Sequence, residues 1–297
     1  MLPSGFQLGR QTFMISVIIP TCERTEPLGQ CLAQLEGAAE IIVSDDGQTF
    51  HTRQLLECRF PNVRWLPGPR RGPAANRNHG ARYAKGDWLA FLDDDCIPDR
   101  CWLNEISRVI STADVIEGKT VCPVKTNHPL EEVIENVTGD LLWSCNLAIR
   151  RDLFEKLGRF DEDFLEAGGE DLALAWRIRE MKLIVRFAPN AIVYHPARRL
   201  SVSKWIYRVF QSRWHLLYRL KVSNVSCATL HEILDLLRVT KRAVLLKERS
   251  PLFFGLIRQW ILLPIWVPYL IYWELKFRKR LVGRKPDSAN LTSRPGL

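Results

Sequence analysis

The chain has 297 residues, with 42 Lys+Arg against 33 Asp+Glu and a formal net charge of +9. A composition of 46% hydrophobic and 25% charged residues excludes a disordered chain and a low-complexity fibre, and the length favours one large domain with an appendage. The charge is split: residues 1–200 carry 24 Lys+Arg and 28 Asp+Glu, whereas residues 201–297 carry 18 and 5, so the basic excess lies wholly in the last third.

The chain order begins with residues 1–14, which show no basic segment followed by an apolar run. They are expected to be an extension rather than a signal peptide. Residues 15–20 (ISVIIP) are β-branched and apolar and predict a buried strand. A helix is expected over 26–36, a second buried strand over 40–44, a short third over 63–66 and a helix over 73–84. Residues 87–92 (DWLAFL) predict a fourth strand, and 99–110 a helix. Strands alternating with helices imply an α/β fold with a mostly parallel, doubly wound sheet. Beyond 115 the pattern is mixed: strands over 141–149, 183–187 and 191–194, and helices over 151–157 and 170–181. The body is expected to close near Pro196, giving a catalytic domain over 15–200.

Two of these strands empty into carboxylates at their carboxyl ends. In open α/β sheets, ligands bind outside those ends, near the point where strand order reverses. Asp93, Asp94 and Asp95 stand side by side and repel one another unless neutralised. All-oxygen ligands favour Mg²⁺ or Mn²⁺, so the cluster reads as a metal–diphosphate site; the alternative is a solvated acidic turn. Asp45-Asp46-Gly47 is either a turn or a pair of acceptors for a base or ribose. Arg70, Arg71 and Arg77 lie between the clusters, where an Arg fork suits phosphate; otherwise they are surface charge. Gly168-Gly169-Glu170-Asp171 opens an apolar helix. A helix N-terminus is expected to keep such acids ionised, as a general base requires, although first-turn capping is the plainer reading. His195 follows a strand and is either structural or a metal ligand.

The eight cysteines form no CxxC pair and no Cys/His cluster, so neither a disulfide framework nor a structural zinc site is expected, and a reducing compartment fits.

Together, SVIIPTCER (16–24), EIIVSDDGQ (40–48), GPAANRNHGARYAKGDWLAFLDDD (72–95), CNLAIRRDLFEKLGRFDEDF (145–164), GGEDLALAWRI (168–178) and YHP (194–196) resemble the family-2 glycosyltransferases of the GT-A fold. The resemblance covers 15–196. It implies a nucleotide-sugar donor, UDP-linked, with Thr21, Glu23, Asp45 and Asp46 lining the base and ribose pocket and Arg77 and Asn78 beside the diphosphate. Asp93 and Asp95 fall where the family's Asp-x-Asp motif binds a divalent cation (Mn²⁺ or Mg²⁺), with Asp94 between them, and His195 where some relatives add a ligand. Asp171, with Glu170 beside it, matches the acidic pair that supplies the base for an inverting single displacement. Trp143 and Asn146 fall in the stretch that shapes the sugar and acceptor pocket. Same-fold alternatives are a polyprenyl-phosphate sugar synthase and a non-catalytic nucleotide-sugar-binding module. No motif is recognisable between the triple Asp and Trp143.

The last third predicts a helical, membrane-associating region over 201–282 and a disordered end over 283–297. Wound as a helix, 204–221 sets Ile206, Val209, Phe210, Leu216, Leu217 and Leu220 on one face. Lys204, Arg208, Gln211, His215 and Arg219 take the other, and Arg213 interrupts the apolar face. Such a helix lies in a membrane interface or packs on the catalytic domain. Residues 251–273 are the most apolar, but the charge-free part contains Pro264 and Pro268 and is shorter than a span needs. The expectation is peripheral or re-entrant attachment of 204–280 to anionic lipid at the cytoplasmic face of the cell membrane, a lipid-linked or cell-surface glycan acceptor, and no nucleic-acid partner.

Overall fold

The computed structural model describes residues 13–35, 37–38, 40–124, 128–222, 225, 227–245 and 251–282. Residues 1–12 of the extension expected over 1–14, and the end expected over 283–297, lie outside them. The chain divides into two compact units, the described residues of Met1–Lys125 with Val133–Ala197, and those of Thr126–Glu132 with Arg198–Leu297.

The first unit is built from β1 (Ile15–Thr21), α1 (Thr25–Leu32), β2 (Glu40–Asp45), α2 (His51–Arg59), β3 (Arg64–Pro67), α3 (Pro73–Arg82), β4 (Trp88–Leu92), β5 (Ile97–Pro98), α4 (Trp102–Val109) and β6 (Val115–Val121). After a short strand β7 (Glu131–Glu132), which belongs to the second unit, come β8 (Asn146–Arg150), α5 (Arg151–Lys156), α6 (Glu170–Glu180) and β9 (Val185–Tyr194). The eight-stranded sheet has the order β3-β2-β1-β4-β8-β6-β9-β5. Strands β3 to β4 are parallel, as expected from the alternating pattern. The second half is mixed: β8 runs antiparallel to β4 and β6, β9 is parallel to β6, and β5 is antiparallel to β9.

Alternation along the strands feeds two cores, one on each face. Val17, Ile19, Val43, Trp88, Ala90 and Leu92 pack with Leu28, Leu56, Trp102 and Ile106 of α1, α2 and α4. Ile18, Ile42, Leu89 and Phe91 pack with Ala74 and Ala81 of α3 and Leu174 and Ile178 of α6. A Cβ on Gly80 would meet Ile18 Cγ2 at 2.7 Å, so glycine lets α3 lie close on the sheet. Phe91 meets Phe154 and Phe160 at ring separations of 5.2 and 5.1 Å. Phe91→Ala is therefore expected to cost about 3–5 kcal/mol in urea unfolding, with the slope of the transition unchanged.

Several expected elements differ. The single strand β9 replaces two, because a register shift opposite Gly118/Lys119 bends it without breaking the ladder. Residues 141–145 are loop, and β8 begins only at Asn146. Helix α2 was hidden because it buries only Thr52 and Leu56. Strand β6 was hidden because Glu117, Gly118 and Lys119 interrupt its apolar pattern.

In the second unit, β7 pairs antiparallel with β10 (Arg198–Arg199). Helices α7 (Val202–Phe210), α8 (Arg213–Val222), α9 (Ala228–Leu245), α10 (Pro251–Ile261) and α11 (Leu263–Val282) follow. The expected single helix over 204–221 is thus two, α7 and α8. Val209, Leu216 and Leu217 are buried as the apolar face requires. Arg213 is accommodated by aromatic rings: its guanidinium lies 5.0 Å from Trp214 and 5.1 Å from Trp273 and donates to the Tyr269 hydroxyl at 2.7 Å. Pro264 sits in the first turn of α11, where no intrahelical bond is lost, and Pro268 lies inside it. No single described helix is long and apolar enough to cross a membrane; 254–261 and 263–282 qualify only as a pair bent by 79°.

Candidate active site

The carboxyl ends of β2, β1 and β4 lie side by side, with Thr21 in register with Asp45. All the singled-out carboxylates of the amino-terminal half follow from these three ends.

At the β2 end, Asp45 accepts from Gly47 N at 2.9 Å and faces Trp65 Nε1 at 3.4 Å. Asp46 accepts from Arg70 N at 2.8 Å, and burial raises its pKa. Glu23 adopts a left-handed backbone (φ 56°) and accepts from Gln48 N, Thr49 N and the Thr49 hydroxyl, contacts that lower its pKa. Its carboxylate thus closes the loop after β2. Arg70 donates to Gly47 O, and Arg71 pairs with Glu162 at 3.0 Å. A Cβ on Gly72 (φ 90°) would meet Leu165 O at 2.2 Å, so only glycine admits this approach at the start of α3.

The three aspartates after β4 turn to different partners. Asp93 pairs with Arg77 at 2.7 Å. Asp94 accepts from the Thr21 hydroxyl at 2.7 Å and from Arg24 at 2.8 Å, and burial raises its pKa to about 6. Asp95 pairs with Arg24 at 2.8 Å and lies 3.7 Å from His195 Nε2. Two guanidinium groups therefore supply part of the neutralisation that the sequence assigned to a cation. Arg24 is the residue that reading missed; its place just past β1 is the only local signal. Arg77, from α3, is buried, held protonated by Asp93, Asp171 and Glu170, and reaches Glu170 at 3.3 Å. It joins the β4 cluster to the start of α6.

The donor set suits a divalent cation. His195 Nδ1 lies 3.0 Å from the Pro196 carbonyl, which only accepts, so Nδ1 carries the proton. Nε2 is then the ring nitrogen that faces the Asp95 oxygen, at 3.7 Å, and is placed to serve as a ligand. The Cys96 thiol completes a buried Asp95–Cys96–His195 group whose ligand atoms all lie within 4.8 Å.

At the start of α6, Glu170 accepts from Gly168 N at 2.8 Å and Gly169 N at 3.0 Å. These amides serve Glu170 and not Asp171. The expectation that the helix N-terminus keeps Asp171 fully ionised is therefore corrected: burial, then the neighbouring Glu170 charge, push its pKa up to about 7, against opposing pulls from Arg77 and Ser144. Asp171 Oδ1 and Ser144 Oγ are both buried, and the Ser144 hydroxyl is the side chain that faces the Asp171 carboxyl.

Two named residues are committed elsewhere. The Asn78 amide bonds the Phe160 backbone in both directions and Glu162. The Asn146 amide accepts from Trp102 Nε1 and donates to the Lys119 and Ala191 carbonyls. Trp143 is partly buried against the first core.

The strand order and the helices on both faces are those of the GT-A fold. The fold is shared with a mannosyltransferase of Pyrobaculum calidifontis solved with GDP-Man and Mn²⁺ (TM-score 0.52, 17% identity, 92% of this chain and 76% of that one). It is shared also with GalNAc-T7 solved with UDP, GalNAc and Mn²⁺ (TM-score 0.51, 17% identity, 70% and 50%). Residues 16–158, just under half of the chain, match Glycosyl transferase family 2, and the chain is similar to that family over this stretch. The pre-mycofactocin glycosyltransferase of Mycobacterium tuberculosis is 27% identical over 218 residues, 65% of this chain and 45% of the relative. Glycosyltransferase AglE of Haloferax volcanii is 26% identical over 206 residues, 62% of this chain and 67% of AglE. The chain thus spans about half to two thirds of the length of these relatives.

Proposed function

We propose that the protein is an inverting glycosyltransferase that moves a sugar from a nucleotide donor, UDP-linked, to a hydroxyl of a lipid-linked or cell-surface glycan. The observation that carries this reading is Asp171 at the start of α6, a buried carboxyl beside the buried Ser144 hydroxyl, with burial and the Glu170 charge opposing its ionisation. An acceptor hydroxyl placed here would complete the hydrogen bonding of this carboxyl–hydroxyl pair. A carboxyl with a pKa of about 7 is matched to proton transfer near neutrality. Asp171 takes the proton of the acceptor hydroxyl as its oxygen bonds to the anomeric carbon. The bond from that carbon to the diphosphate oxygen breaks on the opposite face, so the configuration inverts. Glu170 and Arg77 hold the start of α6 against the triple Asp. Asp93, Asp95 and His195 would hold a divalent cation, which supplies charge stabilisation for the departing diphosphate. Asp45, Asp46, Thr21 and the Glu23-closed loop form the proposed nucleotide side, and Trp143 the acceptor side. Solved relatives of the same fold carry nucleotide sugars, including Staphylococcus aureus TarS with UDP-GlcNAc, which supports the donor class.

The test is nucleoside-diphosphate release over a panel of nucleotide sugars and lipid-linked acceptors. One UDP-sugar is expected to turn over with Mn²⁺, with at least a tenfold loss in a chelator; failure of every donor to bind or react would overturn the reading.

The second unit is proposed to meet anionic lipid at the cytoplasmic face of the cell membrane. Trp260 and Ile261 at the end of α10 and Ile265 and Leu275 of α11 are exposed, and Lys276, Lys279 and Arg280 follow in α11, a pairing suited to a headgroup interface. Flotation with vesicles containing phosphatidylserine, and none with neutral vesicles, is the expected result.

A further inference from the structure

Glu117 projects from β6 into the interior, and its carboxylate is almost wholly buried. Among the described residues it forms no ion pair. Its charge is met by N–H groups alone: one oxygen accepts from Asn136 Nδ2 at 2.6 Å, from Leu141 N at 2.9 Å and from Leu142 N, and the other accepts from Asp140 N at 2.6 Å. Three successive backbone amides converging on one carboxylate force a tight loop. Asp140 and Leu142 are held there in the left-handed region (φ 77° and 55°), which a non-glycine residue adopts only when its surroundings impose it. The Asn136 oxygen accepts from Gly139 N at 2.9 Å and extends the same clamp.

The loop does not end in solvent. Leu142 is buried in the second core, and Trp143 packs against the first. Ser144 follows, buried beside Asp171. The chain from 140 to 144 therefore crosses between the two cores in a conformation set by Glu117, and it delivers the residues that face the proposed base.

We propose that Glu117 is a positioning residue for glycosyl transfer: through the 140–142 amides it fixes where Trp143 and Ser144 stand relative to Asp171. The assignment rests on the reading of Asp171 as the base. A buried carboxylate used only for stability would have been equally served by a paired cation. An acceptor for three consecutive amides specifies a backbone path instead, and small misplacements at a reacting centre are costly.

The test compares Glu117→Gln, Glu117→Asp and Ser144→Ala with the parent chain, each rate expressed per folded molecule. Gln keeps the volume but presents an NH₂ to amide donors. The expected result for Glu117→Gln is a fall of about tenfold to a hundredfold in kcat/KM for the acceptor, with donor KM little changed. The acid limb of the pH–rate profile should also move, and Ser144→Ala should move it in the same direction. The double variant should be no worse than the more damaged single one. Glu117→Asp, which keeps the charge, should recover part of the loss and serves if Gln does not fold. An unchanged limb and unchanged acceptor kcat/KM per folded molecule, with only a lower Tm, would overturn the proposal and leave Glu117 a purely structural group. A fully active Asp171→Asn enzyme would instead overturn the underlying reading, whatever Glu117 does.

Discussion

Asp171→Asn is expected to lower kcat by about 10²–10⁴-fold while leaving donor binding and the fold intact, because the amide cannot take the acceptor proton. The profile of kcat/KM against pH in the parent enzyme carries the matching signature. With a pKa of about 7, Asp171 is mostly protonated at pH 6 and cannot act as base; activity should rise with unit slope to neutrality and level off above it. The sign for stability is opposite. The folded carboxyl binds its proton more tightly than the unfolded chain does, so this group's contribution is fully present below the unfolded value of about 3.9 and is lost as pH rises through about 7. Asp171→Asn should remove both the kinetic limb and this component of the stability profile. Near-normal turnover by a folded Asp171→Asn enzyme would refute the role.

Arg77→Ala is expected to cost about 3–5 kcal/mol of stability, since it strands the buried Glu170 and the half-buried Asp93 without their shared guanidinium. Arg77→Lys should recover little. One ammonium cannot reproduce a fork that reaches Asp93 at 2.7 Å with one nitrogen and Glu170 at 3.3 Å with another. Chemical unfolding measures the effect. A loss under 1 kcal/mol for Arg77→Ala would show that solvent replaces the guanidinium and that the two acidic clusters are not mechanically joined.

The parallel strands and their terminal carboxylates were legible because each is announced locally. An apolar β-branched run buried on both faces ends abruptly in Asp, and little else produces that pattern. Arg77, Asp171 and His195 stood out by their places between or at the ends of elements, the family resemblance implied roles for them, and the structure adds their physical setting. What stayed illegible depends on partners far away in the chain. Arg24 reveals nothing until Asp94 and Asp95, some 70 positions on, are brought beside it. Glu117 carries no signal in the sequence, because the amides that meet its buried carboxylate belong to a loop more than 20 residues away. The same amides explain why no strand forms over 141–145: their N–H groups are turned inward and are withdrawn from any ladder. Asn78 and Asn146 show the converse, where a motif position is occupied but the side chain serves the frame.

The two-sided burial of β1 has a further consequence for how the gene can vary. Ile18 belongs to one core and Val17 and Ile19 to the other, and the same strand ends in Thr21, whose hydroxyl touches Asp94. Deleting one codon within residues 15–20 would exchange the contents of the two cores and carry Thr21 off the Asp94 carboxylate in one stroke. Packing and chemistry are thus written in a single frame here, and lineages of this sequence should tolerate length changes between β1 and β2 while keeping the count from Ile15 to Thr21 constant.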